Sequence, residues 1–107
     1  MTENTLISTK EELSQIISEN NFVLVDFWAE WCMPCRMMGE VLEQLSDIYG
    51  DEIKIIKINV EENEELASFY EIKNLPTIII FKDGEILLRE VGLKQVNFFK
   101  QIIEKNR

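Results

Sequence analysis

Apolar residues along this chain recur with a period that switches between helical and extended, and each switch marks a predicted element. Thr5 to Ile7 reads as a short edge strand, and Ser8-Thr9-Lys10-Glu11 as the capping box opening the first helix. Leu13, Ile16 and Ile17 then fall at i, i+3 and i+4, one stripe able to lie on a sheet, and Asn20-Asn21 ends it. From Phe22 to Trp28 the chain is apolar without alternation, as expected of a strand covered on both faces, and only Asp26 breaks the run. The helical period returns with Met37, Met38, Val41, Leu42, Leu45, Ile48 and Tyr49 and stops at Gly50. The methionines of this helix read as core filling.

A second buried-type strand spans Ile53 to Ile58, interrupted by Lys54 and Lys57. The acids of Glu61-Glu62-Asn63-Glu64-Glu65 suit the positive N-terminal end of a short helix from about Asn63 to Tyr70. Leu75 to Phe81 is a strand with Pro76 near its start, where no ladder donor is lost. Lys82-Asp83-Gly84-Glu85 is a hairpin turn into Ile86 to Val91, and a last helix from about Gln95 to Lys105 carries Val96, Phe99, Ile102 and Ile103 on one stripe.

The order is βαβαβα followed by ββα, which predicts an α/β fold: a mixed central sheet of about five strands flanked by four helices. The helix-linked strands can be parallel and the hairpin pair must be antiparallel. Residues 1–107 make one domain, with 46% hydrophobic content to build a single core. In open α/β sheets, sites form beyond the carboxyl ends of strands, which is where Trp28 delivers the chain to Cys32.

Charge narrows the partners. Twenty acidic residues against eleven basic ones give a formal charge of −9, which repels phosphate backbones and anionic membranes, so neither nucleic acid nor membrane is an expected partner. The N-terminal residues show no basic leader or apolar core of a targeting segment, and no run approaches membrane-spanning length, so a cytoplasmic location is expected. Both cysteines of the chain sit in one Cys-x-x-Cys, which fits a reducing compartment where thiols serve chemistry.

Cys32 and Cys35 stand three apart at a helix start, a spacing that lets their sulfurs form and break a disulfide. A structural staple closing so short a loop gains little entropic stabilisation. Structural zinc needs four ligands, whereas this chain offers two cysteines and no histidine. Redox chemistry is the better reading. At a helix N-terminus the Cys32 thiolate is stabilised by orphan amides and the dipole, which makes Cys32 the nucleophile and Cys35 the resolving thiol. Asp26, inside an apolar strand between Val25 and Phe27, is expected to hold a pKa raised towards the range where it can trade protons with a thiol.

Phe27-Trp28-Ala29-Glu30-Trp31-Cys32-Met33-Pro34-Cys35-Arg36-Met37 resembles the active-site segment of the thioredoxins, and Leu75-Pro76-Thr77, Asp83-Gly84 and Val91-Gly92 resemble that family's later landmarks in the same order. The resemblance covers essentially the whole chain and implies the thioredoxin fold. It also implies that Cys35 is the more buried cysteine and so needs a nearby proton acceptor, for which Asp26 is the candidate, that Lys57 sits near Asp26, and that the Leu75–Pro76 bond is cis. Trp31, Met33, Pro34, Leu75, Pro76 and Gly92, with Leu93 beside them, are then the rim that receives an extended peptide, and Trp28 packs beneath.

The implied activity is a protein-disulfide reductase with no tightly bound cofactor, regenerated by an NADPH-dependent, flavin-containing thioredoxin reductase and acting as a monomer on disulfide-containing proteins. Two other functions are compatible with the fold: a thiol oxidase or isomerase, for which Met33-Pro34 supplies no thiolate-stabilising histidine, and a non-catalytic interaction subunit. Departures from the family pattern are Met33 where glycine is usual, Glu40 where a helix-kinking proline is frequent, and Asn74 where a small residue is frequent. They bear on partner choice and not on the chemistry.

Overall fold

The computed structural model describes residues 2–3 and 9–107. In chain order these form β1 (Thr2–Glu3), α1 (Lys10–Glu19), β2 (Phe22–Trp28), α2 (Met33–Tyr49), a 3-10 turn (Gly50–Glu52), β3 (Ile53–Asn59), α3 (Glu64–Phe69), β4 (Thr77–Lys82), β5 (Glu85–Val91) and α4 (Val96–Asn106). The strands make one five-stranded sheet in the order β1-β3-β2-β4-β5. β1 and β2 flank β3 in parallel, β4 is antiparallel to β2, and β5 is antiparallel to β4. The edge strand expected at Thr5 to Ile7 lies outside the described residues; the edge is formed by Thr2 and Glu3 against Ile55 and Ile56.

Strand β2 is buried along both faces because its side chains alternate between two cores. Phe22 and Leu24 join Ile55, Ile78 and Ile80 beneath Met38, Leu42 and Leu45 of α2 and Phe99 of α4. Val23, Val25 and Phe27 join Ile56, Ile58 and Ile79 against Leu13 and Ile17 of α1 and Leu66 of α3. The same alternation puts Asp26 on the α2 face.

Although α3 links β3 to β4, β4 does not run parallel to them. The chain re-enters the sheet at the end where β3 left it, so β4 runs against β2. Thr77 therefore pairs with Phe27 at the carboxyl end of β2, and Leu75 packs on the cluster of Ala29, Cys32 and Cys35.

The α2 stripe is narrower than its apolar residues suggest. Met38 is fully buried, but Met37 and Ile48 are each 50% exposed, so Met37 is not core filling. They lie eleven residues apart, about three turns, and so share a flank of the helix that the sheet does not reach.

The capping box of α1 is shifted by one residue from the expected frame: Thr9 is the N-cap, its hydroxyl accepting from Glu12 N, while Glu12 Oε1 accepts from Thr9 N, both at 3.1 Å. Removing the hydroxyl with Thr9→Ala is expected to cost about 1 kcal/mol in a urea titration. No loss would mean that the box does not hold the helix end. At the other hairpin end of the sheet, Asp83 and Gly84 have φ of 53° and 88°, the paired positive values of a tight antiparallel turn.

Candidate active site

Strand β2 is tied to the end of β3, Val60 N donating to Trp28 O at 2.9 Å, and the chain then turns sharply, Cys32 N donating to Ala29 O at 3.2 Å. Cys32 is the N-cap of α2, in extended backbone, and its Sγ accepts from Cys35 N at 3.2 Å. Pro34 in the first turn lacks only a donor that no helical carbonyl would have used. Cys32 and Cys35 are joined by a disulfide with their Cα atoms 5.3 Å apart.

The expected difference in burial between the two is not seen: each is 4% exposed. Joined sulfurs share the cover of Ala29, Trp28, Val60 and Leu75. Their surroundings distinguish them instead. The Cys32 sulfur receives a helix N-terminal amide, whereas Cys35 lines a cleft of about 200 Å³ with Asp26, Trp28, Arg36, Gly39 and Lys57.

Asp26 is 1% exposed, and neither of its carboxylate oxygens has a hydrogen-bond partner in the protein. Burial pushes its pKa up to about 7, and the charge of Lys57, its register partner on β3, acts in the opposite direction without prevailing. The helix above it supplies this burial: Val25 and Phe27, the sequence neighbours, point into the other core.

Around the cysteines Trp31 and Met33 are the most exposed large apolar residues, at 70% and 63%, and Pro34 is exposed beside them. The Leu75–Pro76 bond is cis, as the resemblance implies. Leu75 is half-buried and Pro76 buried, and Gly92 N donates to Pro76 O at 2.8 Å. A groove of about 420 Å³ runs between Trp31, Val60, Ile72, Lys73, Asn74 and Leu75. Leu93 packs toward the core beneath α2 and α4. Glu40 is exposed on an α2 that continues from Met33 to Tyr49.

Sequence reasoning missed Glu61. Its Oε2 accepts from Trp31 Nε1 at 3.0 Å, and its own amide is fixed on Asn59 Oδ1 at 2.9 Å. This link joins residues thirty apart and depends on Trp28 pairing with Asn59, which no local pattern announces.

A disulfide that caps a helix, with one sulfur on an amide and the other above a buried carboxyl of raised pKa, defines a thiol–disulfide oxidoreductase. The thioredoxin family model matches residues 4–105. The thioredoxin of Bacillus subtilis strain 168 is 41% identical over 99 residues, 92% of this chain and 94% of that protein. That of Rickettsia bellii is 40% identical over 100 residues, 94% and 95% of the two chains. The solved structure of an N21Q mutant thioredoxin from Halobacterium salinarum NRC-1 superposes with a TM-score of 0.85 at 38% identity, covering 97% of this chain and 90% of that one. The chain belongs to the thioredoxin family, and as such is a protein-disulfide reductase.

Proposed function

We propose that this chain acts as one domain, as the electron carrier of a cytoplasmic thioredoxin system, re-reduced by an NADPH-dependent thioredoxin reductase. The observation that carries the reading is the helix amide on Cys32 Sγ with Cys35 set over the Asp26 cleft, because it gives the two thiols different work. Confinement of both cysteines to the reactive pair supports a reducing compartment.

In the reductive half, the Cys32 thiolate attacks one sulfur of a substrate disulfide. A Cys32–substrate disulfide forms, the substrate S–S bond breaks, and the departing thiolate takes up a proton. The Cys35 thiol then passes its proton to the Asp26 carboxylate and attacks Cys32 Sγ. The mixed disulfide breaks, the second substrate thiolate leaves and is protonated, and Cys32–Cys35 is closed. Two electrons have moved to the substrate, and the reductase returns two electrons and two protons to restore the dithiol. With a pKa of about 7, Asp26 is poised to accept and give back a proton near neutrality, and Lys57 steadies its charged form.

Trp31, Met33, Pro34, Leu75, Pro76 and Gly92 receive the substrate, with the Leu75 backbone pairing to an extended peptide, a mode tolerant of sequence. Glu61 holds Trp31 in place. Coupling NADPH oxidation to reduction of a protein disulfide through a bacterial thioredoxin reductase tests the reading; turnover that depends on both the reductase and this chain is expected, and chain-independent or absent turnover with several such reductases refutes the partner assignment.

Met33 lies on the rim and cannot donate a strong hydrogen bond to the thiolate. Met33→Gly is therefore expected to change kcat/KM with the reductase and with large substrates while moving the reduction potential by less than ~30 mV, the equivalent of roughly 1.4 kcal/mol for two electrons. Equilibration against glutathione buffers alongside partner kinetics checks this. A shift beyond ~60 mV with unchanged kinetics would place Met33 on the sulfurs and not on recognition.

A further inference from the structure

The sulfur atoms of the described residues fall into two groups. Cys32 and Cys35 are each 4% exposed and joined to one another, so neither presents a thiolate, and Met38 is fully buried in the core. Met33 and Met37, by contrast, are 63% and 50% exposed. Oxidation of sulfur by a hydroperoxide follows thiolate character and access. In the disulfide form the thiolate is withdrawn, so access decides, and Met33 is the most exposed of these sulfur-bearing residues.

Met33 is also the one placed where partners must come. It opens α2 directly after the attacking cysteine, between the exposed Trp31 and Pro34. Met37 stands one turn later, ~6 Å further along the helix axis. A partner that brings its own sulfur to Cys32 therefore covers Met33 first.

Resting on the reading of this rim as the partner surface, we propose that Met33 is a modification site: a hydroperoxide converts its thioether to the sulfoxide while the protein is in the disulfide form, and the sulfoxide weakens docking of protein partners until it is reduced. One oxygen passes from the hydroperoxide to the sulfur, the O–O bond breaks, the sulfur is oxidised by two electrons, and the hydroperoxide leaves as an alcohol, or as water when it is hydrogen peroxide. The new S–O group is polar where the rim was apolar. A partner that buries it must strip water from an oxygen acceptor for which an apolar contact offers no donor. The effect falls on the disulfide form, the form that the reductase must bind. Return to the thioether takes two electrons and two protons from a methionine sulfoxide reductase and releases water.

The test treats the disulfide form of the full chain with hydrogen peroxide, removes the peroxide with catalase, and follows sulfoxide by peptide mapping. The same samples are assayed for kcat/KM with a bacterial thioredoxin reductase, with a protein disulfide and with a small aromatic disulfide. Sulfoxide is expected at Met33 at least about tenfold faster than at Met38, with a loss of about fivefold or more in kcat/KM for the reductase and the protein disulfide. The small disulfide and the equilibrium with glutathione are expected to stay within about twofold. Methionine sulfoxide reductases with dithiothreitol are expected to restore the lost activity. Each variant is measured against its own untreated sample: Met37→Leu is expected to keep the sensitivity to peroxide, and Met33→Leu, a change that conserves volume, to lose it. Oxidation of Met33 no faster than that of Met38, or equal sensitivity in Met33→Leu, overturns the proposal. Met33 sulfoxide with unchanged partner kinetics overturns it too, and Met33→Gly then separates the two failures: altered partner kinetics in that variant leave the rim reading standing, and unaltered kinetics end it as well.

Discussion

Cys32→Ser is expected to abolish turnover of a disulfide substrate, by at least ~10³-fold, while Cys35→Ser accumulates a covalent adduct between the protein and its substrate. The asymmetry follows from the helix end. Cys32 caps α2 and its sulfur takes the Cys35 amide, an arrangement that stabilises negative charge at this position. An oxygen in its place cannot form the first mixed disulfide at all. Without the Cys35 sulfur the first attack proceeds, but nothing within the chain can displace the substrate, since Cys32 and Cys35 are its only cysteines. Intact-mass measurement distinguishes the two variants. An adduct on Cys32→Ser and none on Cys35→Ser would reverse the assigned roles.

Asp26→Ala is expected to stabilise the fold at neutral and alkaline pH and to slow reduction. Asp26 has a folded pKa of about 7 against an unfolded value near 3.9, raised by desolvation beneath α2. Above about pH 7 the carboxyl is ionised in both states, and the folded state carries the full penalty of the buried charge. As pH falls from 7 to about 4 the folded protein holds a proton that the unfolded chain releases, and the penalty shrinks. Below ~4 both states are protonated and it is gone. About three pKa units at 1.36 kcal/mol each set a ceiling of ~4 kcal/mol on the gain, reduced by the small void that alanine leaves. Urea titrations at pH 8 and pH 4 read the difference. Equal stability of the two proteins at pH 8 would mean that the carboxylate is solvated or well paired.

Legibility in the sequence followed the range of the interaction. Phe22 to Trp28 was plain because a run covered on both faces has no polar period to hide it, and the same run exposed Asp26 as an anomaly. The Cys32–Cys35 pair was plain because its chemistry needs only two residues one turn apart. The raised pKa of Asp26 follows from burial, as expected, though its sequence neighbours Val25 and Phe27 face the opposite core and α2 supplies the cover. The reversal at β4 depends on which end of the sheet the connection 60–76 returns to, which periodicity does not encode. Ser8 and Thr9 offered two overlapping capping frames, and the pattern fits both until geometry selects Thr9. The contact of Glu61 with Trp31 arises where separate segments meet, so no local spacing encodes it.

The central claim is that the chain delivers two electrons to a protein disulfide through Cys32 and Cys35. Reducing the protein, removing the reductant and mixing it with an excess of a disulfide-bonded protein measures this without any reductase. The expected result is two substrate thiols released per chain, matched by the loss of two hydrogens from this protein and a peptide map linking Cys32 to Cys35. A chain that keeps both thiols while the substrate keeps its disulfide would contradict the account.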